Sequence, residues 1–482
     1  MIGLAEALSI SNPALRGHLN RHFQAACQRS SYTLPMNTTD NKSPAQLIVH
    51  PAWILPIIPR EKVLTDVSLV VREGRIAELL PTEDALQMDA TDHLSLPHSV
   101  LMPGLVNSHG HSPMTLLRGV ADDAPLQSWL QEHIWPLEAA FVSEQFVHDG
   151  TDLALAELLL GGTTTLSDMY FFPEITAQRI EAAGLRAQLV FPIIDVATAW
   201  ARDSDSCIDK GLALRDHYRD HELIEVGFGI HATYSVTEST LKKVAILTHE
   251  LDAAMQIHLH ETPAEVEAAL KAHGERPLDL VNRMGLLGPR SQCVHMTTLS
   301  DKDIASLADS NSHVVHCPRS NMKLASGICP VHRLHQAGIN VALGTDGAAS
   351  NNRLSMLAEL QTAALLAKLE SSDASALPAA AALEMATMGG ARALGMEADI
   401  GSLEVGKSAD MIALDLSGLS TQPLNHILSQ IVYATSGAEL THSWVGGRCL
   451  VNDGQLLTLD AKEIRSRASL WPARFKASEI SQ

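Results

Sequence analysis

Eight short apolar runs, each followed by a helix-length segment, constrain this chain more than any other feature. They occupy residues 100–107, 163–169, 186–194, 225–231, 254–260, 292–296, 313–317 and 340–344. The stretches between them space apolar residues three and four apart, as at 151–160 and 239–251, the repeat of a helix with one buried face. Pro330 opens one such helix and Gly338 closes it. Strand–helix alternation repeated eight times is the count of a closed (β/α)8 barrel, with its first strand in 100–107. An open doubly wound sheet is the competing arrangement. Its dinucleotide-binding version lacks support, because no GxGxxG follows any strand and Gly227-Phe-Gly229 has no third glycine.

The barrel is flanked by material of another texture. Val67-Ser-Leu-Val-Val-Arg72 and Gly74-Arg-Ile-Ala-Glu-Leu79 read as strands around a tight turn. Near the other end, Ala409-Asp-Met-Ile-Ala-Leu414 and the two halves of Ser443-Trp-Val-Gly-Gly-Arg-Cys-Leu-Val451 read the same way, the last pair joined at Gly-Gly. A small β domain drawn from both ends is the expectation, covering 45–102 and 398–470, with the barrel over 103–397. Residues 1–44 are expected to be a poorly ordered extension, or sequence upstream of a start at Met36.

Composition sets the class of partner. With 35 basic and 55 acidic residues the net charge is −20, and such a field repels phosphate backbones and anionic membrane surfaces. A small molecule is expected instead of a nucleic-acid polymer. No run of 18 or more apolar residues occurs, so no spanning helix is expected. Cysteines 27, 207, 293, 317, 329 and 449 form no CxxC pair, which points to a reducing, cytoplasmic setting. A homo-oligomer is compatible with a barrel of this type, but no stripe identifies an interface.

Chemistry-bearing residues gather at the ends of the runs. His109-Gly-His111 closes the first, and residues two apart on a strand face the same way, so both imidazoles can reach one ion. His258-Leu-His260-Glu261 ends the fifth run, and strand geometry does not choose between its two histidines. His295, in Cys293-Val-His-Met296, ends the sixth. Asp346, in Gly344-Thr-Asp-Gly347, leaves the eighth, where a carboxylate is costly unless a cation or donors compensate it. Three imidazoles and one carboxylate around an open position suit zinc, and iron or manganese fit the same donors. Such an ion lowers the pKa of its water to about 7. Other hydrolytic signatures are missing: His249-Glu250 is followed by Ala253 where HExxH needs histidine, and there is no PCxxC, GxSxG or P-loop.

Taken together, Met102-Pro-Gly-Leu-Val-Asn-Ser-His-Gly-His111, His258-Leu-His-Glu261, Gly344-Thr-Asp-Gly347 and Gly401-Ser-Leu-Glu-Val-Gly-Lys-Ser-Ala-Asp410 resemble the amidohydrolase superfamily. The stretch His111-Ser-Pro-Met-Thr-Leu-Leu-Arg-Gly-Val-Ala-Asp122 is similar to its deaminase and chlorohydrolase branch, above all to 5-methylthioadenosine/S-adenosylhomocysteine deaminases. The likeness runs from about residue 45 to 460. It implies a distorted (β/α)8 barrel with a small β-sandwich domain from both termini. It implies His109, His111, His258 and Asp346 as ligands of one zinc, with Glu261, His295 and Asp346 as catalytic groups. Glu138, in Trp135-Pro-Leu-Glu138, and His231 are implied as nucleoside contacts, alongside Glu261 and Asp346. Two-metal branches use a carboxylated lysine after the fourth strand. Gly229-Ile-His-Ala-Thr-Tyr234 has none, which favours a single ion.

The resemblance also implies a reaction. Water attacks C6 of the adenine ring, Glu261 protonates N1, Asp346 moves the proton to the leaving amine, and His295 polarises the oxygen. Relatives that handle S-adenosylhomocysteine carry arginines beyond the third strand. This chain has Phe191-Pro-Ile-Ile-Asp-Val196 there, with Arg202 the nearest cation. Methylthioadenosine is therefore the expected substrate, with S-adenosylhomocysteine and adenosine as further candidates. A guanine or cytosine deaminase or a triazine chlorohydrolase is the alternative, and a non-catalytic scaffold is disfavoured because every ligand and acid/base residue is kept.

Overall fold

A computed structural model describes residues 44–479. Apart from Pro44, the extension expected at the N-terminus lies outside the described residues.

The outer sheet forms first along the chain, from β1 (Ala45–Ile54), β2 (Val67–Arg72), β3 (Arg75–Pro81) and β4 (Ala90–Pro103). The barrel follows as β5 (Leu105–Gly110), β6 (Thr163–Asp168), β7 (Arg186–Ile193), β8 (Ile224–Ala232), β9 (Met255–Leu259), β10 (Ser291–His295), β11 (His313–His316) and β12 (Val341–Leu343). Then β13 (Met411–Asp415), β14 (Leu440–Val445), β15 (Arg448–Asn452) and β16 (Gln455–Leu456) return to the outer sheet. Its order is β16-β15-β14-β13-β4-β1-β2-β3, mixed because β1 runs parallel to β4. The segments expected to pair from opposite ends meet at β4 and β13, with Met411 opposite Pro103.

The barrel strands run parallel in the order β12 through β5, and each except the first matches an apolar run in the sequence. The first run is divided. Residues 100–103 finish β4 in the outer sheet, and the barrel begins at Leu105. The reason lies at Gly104, whose N–H donates to Asp410 O while the next N–H, of Leu105, donates to Gly162 O. A Cβ at 104 would sit 2.0 Å from Thr164 Oγ1, so only glycine allows the crossing.

Closure between β12 and β5 uses a side chain in place of a ladder. Asn107 Oδ1 accepts from Thr345 N at 2.9 Å and its Nδ2 donates to Thr345 Oγ1 at 2.8 Å. Asp346 N then donates to His109 O. A Cβ at Gly344 would lie 2.8 Å from the His109 Cβ, so the seam is tight against the first histidine. The core is aliphatic, as few aromatics demand: Leu, Val and Ile from strands and surrounding helices fill it, including Leu105, Leu259 and Leu343. Helices Ala461–Ala468 and Trp471–Glu479 close the chain, the latter packing Trp471 on Phe146. No helix among the described residues is long and apolar enough to cross a membrane.

Candidate metal centre and substrate cavity

The C-terminal ends of the barrel strands converge on one point, where the open face of such a barrel builds its site. From the end of β5 comes His109, and from the residue just past that strand His111; from β9 comes His258; past β12 comes Asp346. His109 Nε2 lies 3.1 Å from His258 Nε2 and 3.4 Å from Asp346 Oδ1, and His111 Nε2 lies 3.3 Å from the same oxygen. Asp346 reaches this position with φ at 60°, a left-handed conformation that aspartate tolerates better than most residues.

What the three rings do with their other nitrogen decides whether they suit a metal. His109 Nδ1 donates to Gln256 Oε1 at 2.7 Å, His111 Nδ1 to Met169 O at 2.5 Å, and His258 Nδ1 to His231 O at 2.7 Å. With the ring proton spent on Nδ1, each Nε2 presents a lone pair to the common point. Burial pushes His109 and His258 down from the ordinary histidine range, which keeps both rings neutral. Burial alone would raise Asp346, but its contacts with His109 and His111 hold it well below the usual carboxylate range. Its other oxygen accepts from Ser320 Oγ at 2.6 Å and Ser350 Oγ at 2.8 Å. Burial alone would lower His111, but its contacts with Asp346 and the Met169 carbonyl raise it to about 9, a proton that a bound cation would displace. The ligand atoms of His109, His111 and Asp346 lie within 4.8 Å of one another, as do those of His109, His258 and His295, and imidazole nitrogens with a carboxylate oxygen fit a divalent ion.

The two histidines that strand geometry left open occupy different places: His258 stands in the cluster and His260 does not. His260 turns out of the site with φ at 50°; its Nδ1 meets Thr298 O and its Nε2 accepts from Leu278 N. Fully buried there, it joins the fifth strand to its neighbours.

Glu261 and His295 stand beside the cluster, with Glu261 Oε2 3.7 Å from His295 Nε2. Burial, with the charge of Asp346, pushes Glu261 up to about 8, against the weaker opposing contact with Ser326. Burial lowers His295 to about 4, so it is neutral near pH 7. Asn321 Nδ2 lies 3.0 Å from His295 Nδ1, and with the amide so assigned the ring proton sits on Nε2, facing the cavity.

The cavity above holds about 570 Å³. Its polar wall includes His111, Glu138, His231, His258, Glu261 and Asp346. Glu138 comes from the helix Trp135–Phe141, is raised by burial, and accepts from Tyr170 Oη at 2.6 Å. His231, at the end of β8, is lowered by burial to about 4. The opposite wall is apolar, built from Leu126, Trp129, Leu130 and Ile134 on one side and Val196 and Ala197 beyond β7 on the other. Among the described residues no lysine or arginine lines it. Arg202 points to solvent beside Asp203.

Sequence reasoning did not find Gln256, Ser320, Ser350, Tyr170 or the roof at 126–134. Serine and glutamine on buried strands or short helices carry no pattern that separates them from ordinary structure. The roof had a usable signal, since Leu126, Trp129, Leu130 and Ile134 recur at helical spacing.

The Amidohydrolase family model matches residues 100–450. A Teredinibacter turnerae protein named 5-methylthioadenosine/S-adenosylhomocysteine deaminase is 53% identical over 427 residues, covering 88% of this chain and 97% of the relative. A Saccharophagus degradans protein of the same name is 50% identical over 442 residues, covering 92% and 99%. The crystal structure of an adenosine deaminase from Xanthomonas campestris, with bound zinc, superposes with a TM-score of 0.89 at 45% identity, covering 90% of this chain and 99% of that one.

Proposed function

The chain belongs to the amidohydrolase family, and from that premise we propose that it is a zinc-dependent deaminase converting 5′-methylthioadenosine to its inosine analogue and ammonia. The observation that carries the reading is the approach of His109 Nε2 to His258 Nε2 and of His109 and His111 to one Asp346 oxygen, beneath a cavity that also holds a proton-bearing Glu261.

His109, His111, His258 and Asp346 would hold the ion. When bound it supplies a Lewis acid that brings water to a pKa of about 7 and stabilises charge developing on oxygen. The protein's own groups move the protons. Glu261, protonated at neutral pH, donates to N1 of the adenine ring and makes C6 electrophilic. As water oxygen bonds to C6, Asp346 takes one of its protons. His295 donates its Nε2–H to that oxygen. Asp346 passes its proton to the amino group, the C6–N bond breaks and ammonia leaves. The remaining hydroxyl proton returns to Glu261, and C6 becomes a carbonyl. Such acid–base work contributes roughly 10²–10⁴-fold per group.

Glu138, braced by Tyr170, accepts from the nucleoside hydroxyls, and His231 contacts the same substrate. The apolar wall receives the 5′ substituent. With no cation there to pair a carboxylate, a methylthio group fits better than the zwitterionic tail of S-adenosylhomocysteine. We assign catalysis to residues 103–397 and the small β domain to 45–102 with 398–470. The five described cysteines are all unpaired, in keeping with a reducing cytoplasmic setting.

The test is ammonia release by the zinc-loaded protein from methylthioadenosine, S-adenosylhomocysteine, adenosine, guanine, cytosine and a chlorotriazine. Methylthioadenosine should lead the other classes by at least about tenfold in kcat/KM, a gap of the size one well-matched pocket supplies. A lead by guanine, cytosine or the triazine would replace this substrate with another of the same branch.

A further inference from the structure

Three glutamines cross the inside of the barrel beneath the ligand cluster. Gln188 on β7, Gln256 on β9 and Gln292 on β10 are completely buried. Barrels ordinarily fill these inward positions with Val, Ile or Leu, and a buried amide is costly unless its hydrogen bonds are made. Here they are made, and all in one sense. His109 Nδ1–H donates to Gln256 Oε1 at 2.7 Å, Gln256 Nε2 to Gln292 Oε1 at 2.6 Å, Gln292 Nε2 to Gln188 Oε1 at 2.7 Å, and Gln188 Nε2 to Leu394 O at 3.1 Å.

The direction of this chain is not a free choice. The Leu394 carbonyl can only accept, so Gln188 must turn its nitrogen there and its oxygen to Gln292. The same requirement passes to Gln292 and then to Gln256. Gln256 is fixed independently, because its Nε2 also donates to Ser108 O at 3.0 Å. Its oxygen therefore faces His109, whose Nδ1 must be the donor and whose Nε2 must carry the lone pair. Hydrogen bonds aligned head to tail polarise one another. A stronger acceptor on Nδ1–H makes the opposite nitrogen a better ligand.

We propose that Gln188, Gln292 and Gln256 form a relay that fixes the tautomer of His109 and raises its strength as a metal ligand. They are positioning residues, and none of them lines the substrate cavity. The inference rests on His109 being a zinc ligand, as proposed above.

Gln256→Met, Gln292→Met, Gln188→Met and the Gln256/Gln292 double variant test it. The zinc dissociation constant is measured by chelator competition, with thermal midpoints of the zinc-stripped and zinc-loaded forms recorded alongside. Gln256→Met should weaken zinc about 10- to 100-fold, and Gln292→Met, which does not touch His109, about two- to fivefold. The double variant should bind like Gln256→Met alone, because the relay is already cut. Midpoints of the stripped forms should fall in every variant, because each methionine leaves buried partners unpaired, but those falls should not track the losses in zinc affinity. Unchanged zinc affinity in both Gln256→Met and Gln292→Met, or losses that multiply in the double variant while the stripped midpoints fall in step, would overturn the relay in favour of plain packing. If Gln256→Met does not fold, the order Gln292→Met weaker than Gln188→Met in zinc binding decides the matter, and equal wild-type-like affinity in both rejects the relay. A wild-type protein that binds no zinc would instead fail the metal-site reading itself.

Discussion

Replacing Glu261 with glutamine keeps the size and shape of the side chain and removes only its transferable proton. The structure sets how much that proton matters. An ordinary glutamate, with a pKa of about 4.3, is protonated in about one molecule in 500 at pH 7. Burial and the Asp346 charge push Glu261 up to about 8, so about nine-tenths of molecules carry the proton. The site has thus raised the working acid form by a factor of roughly 450. A glutamine N–H can still hydrogen-bond to N1 but cannot protonate it. Glu261→Gln should therefore lower kcat by about 10²–10⁴-fold in the ammonia-release assay, with zinc content unchanged by metal analysis. The sign of the pH dependence follows from the same group. The proposed mechanism uses the protonated carboxyl, so kcat/KM of the wild type should fall as pH rises through about 8, and the residual activity of the variant should lack that limb. A variant that binds one zinc and turns over within about threefold of wild type would refute the proton-donor role.

Other perturbations follow from single contacts. Gly344→Ala would press a Cβ to 2.8 Å from His109 Cβ, and overpacking of this kind costs about 1–3 kcal/mol, read as a lower thermal midpoint and reduced zinc loading. Tyr170→Phe removes the 2.6 Å hydrogen bond to Glu138 and should raise KM for the nucleoside about tenfold while changing kcat less; an unchanged KM would mean Glu138 needs no brace. Val196→Arg places a cation at the exposed mouth of the cavity, and the ratio of kcat/KM for S-adenosylhomocysteine over methylthioadenosine should rise about two- to fivefold at low salt.

Much of this molecule was legible in its sequence because the barrel writes itself as a period. Seven of eight apolar runs coincide with barrel strands, and the side chains at their ends are the ones the structure gathers: His109, His111, His258, Glu261, His295 and Asp346. The run at 100–107 misled because β4 and β5 are both apolar and continuous, so hydropathy shows no break where the chain changes sheets. His258 and His260 could not be told apart by alternation, since both lie on one face of an extended strand. What separates them is the left-handed turn at His260, a feature no side-chain period records. The supporting polar groups were equally silent. Gln256 and Ser320 matter through the partner each meets from a distant strand or helix, and that partner is fixed only once the barrel has closed.

The crossing at Gly104 leaves no slack between the outer sheet and the first histidine. Four residues of extended chain separate it from His109, and both neighbours of that short piece are hydrogen-bonded in place. The outer sheet thus serves as the foundation into which one post of the metal centre is sunk. Loosening β13 or β4 would tilt that post directly, and the sheet and the barrel should melt as one body, with no separate early loss of the periphery.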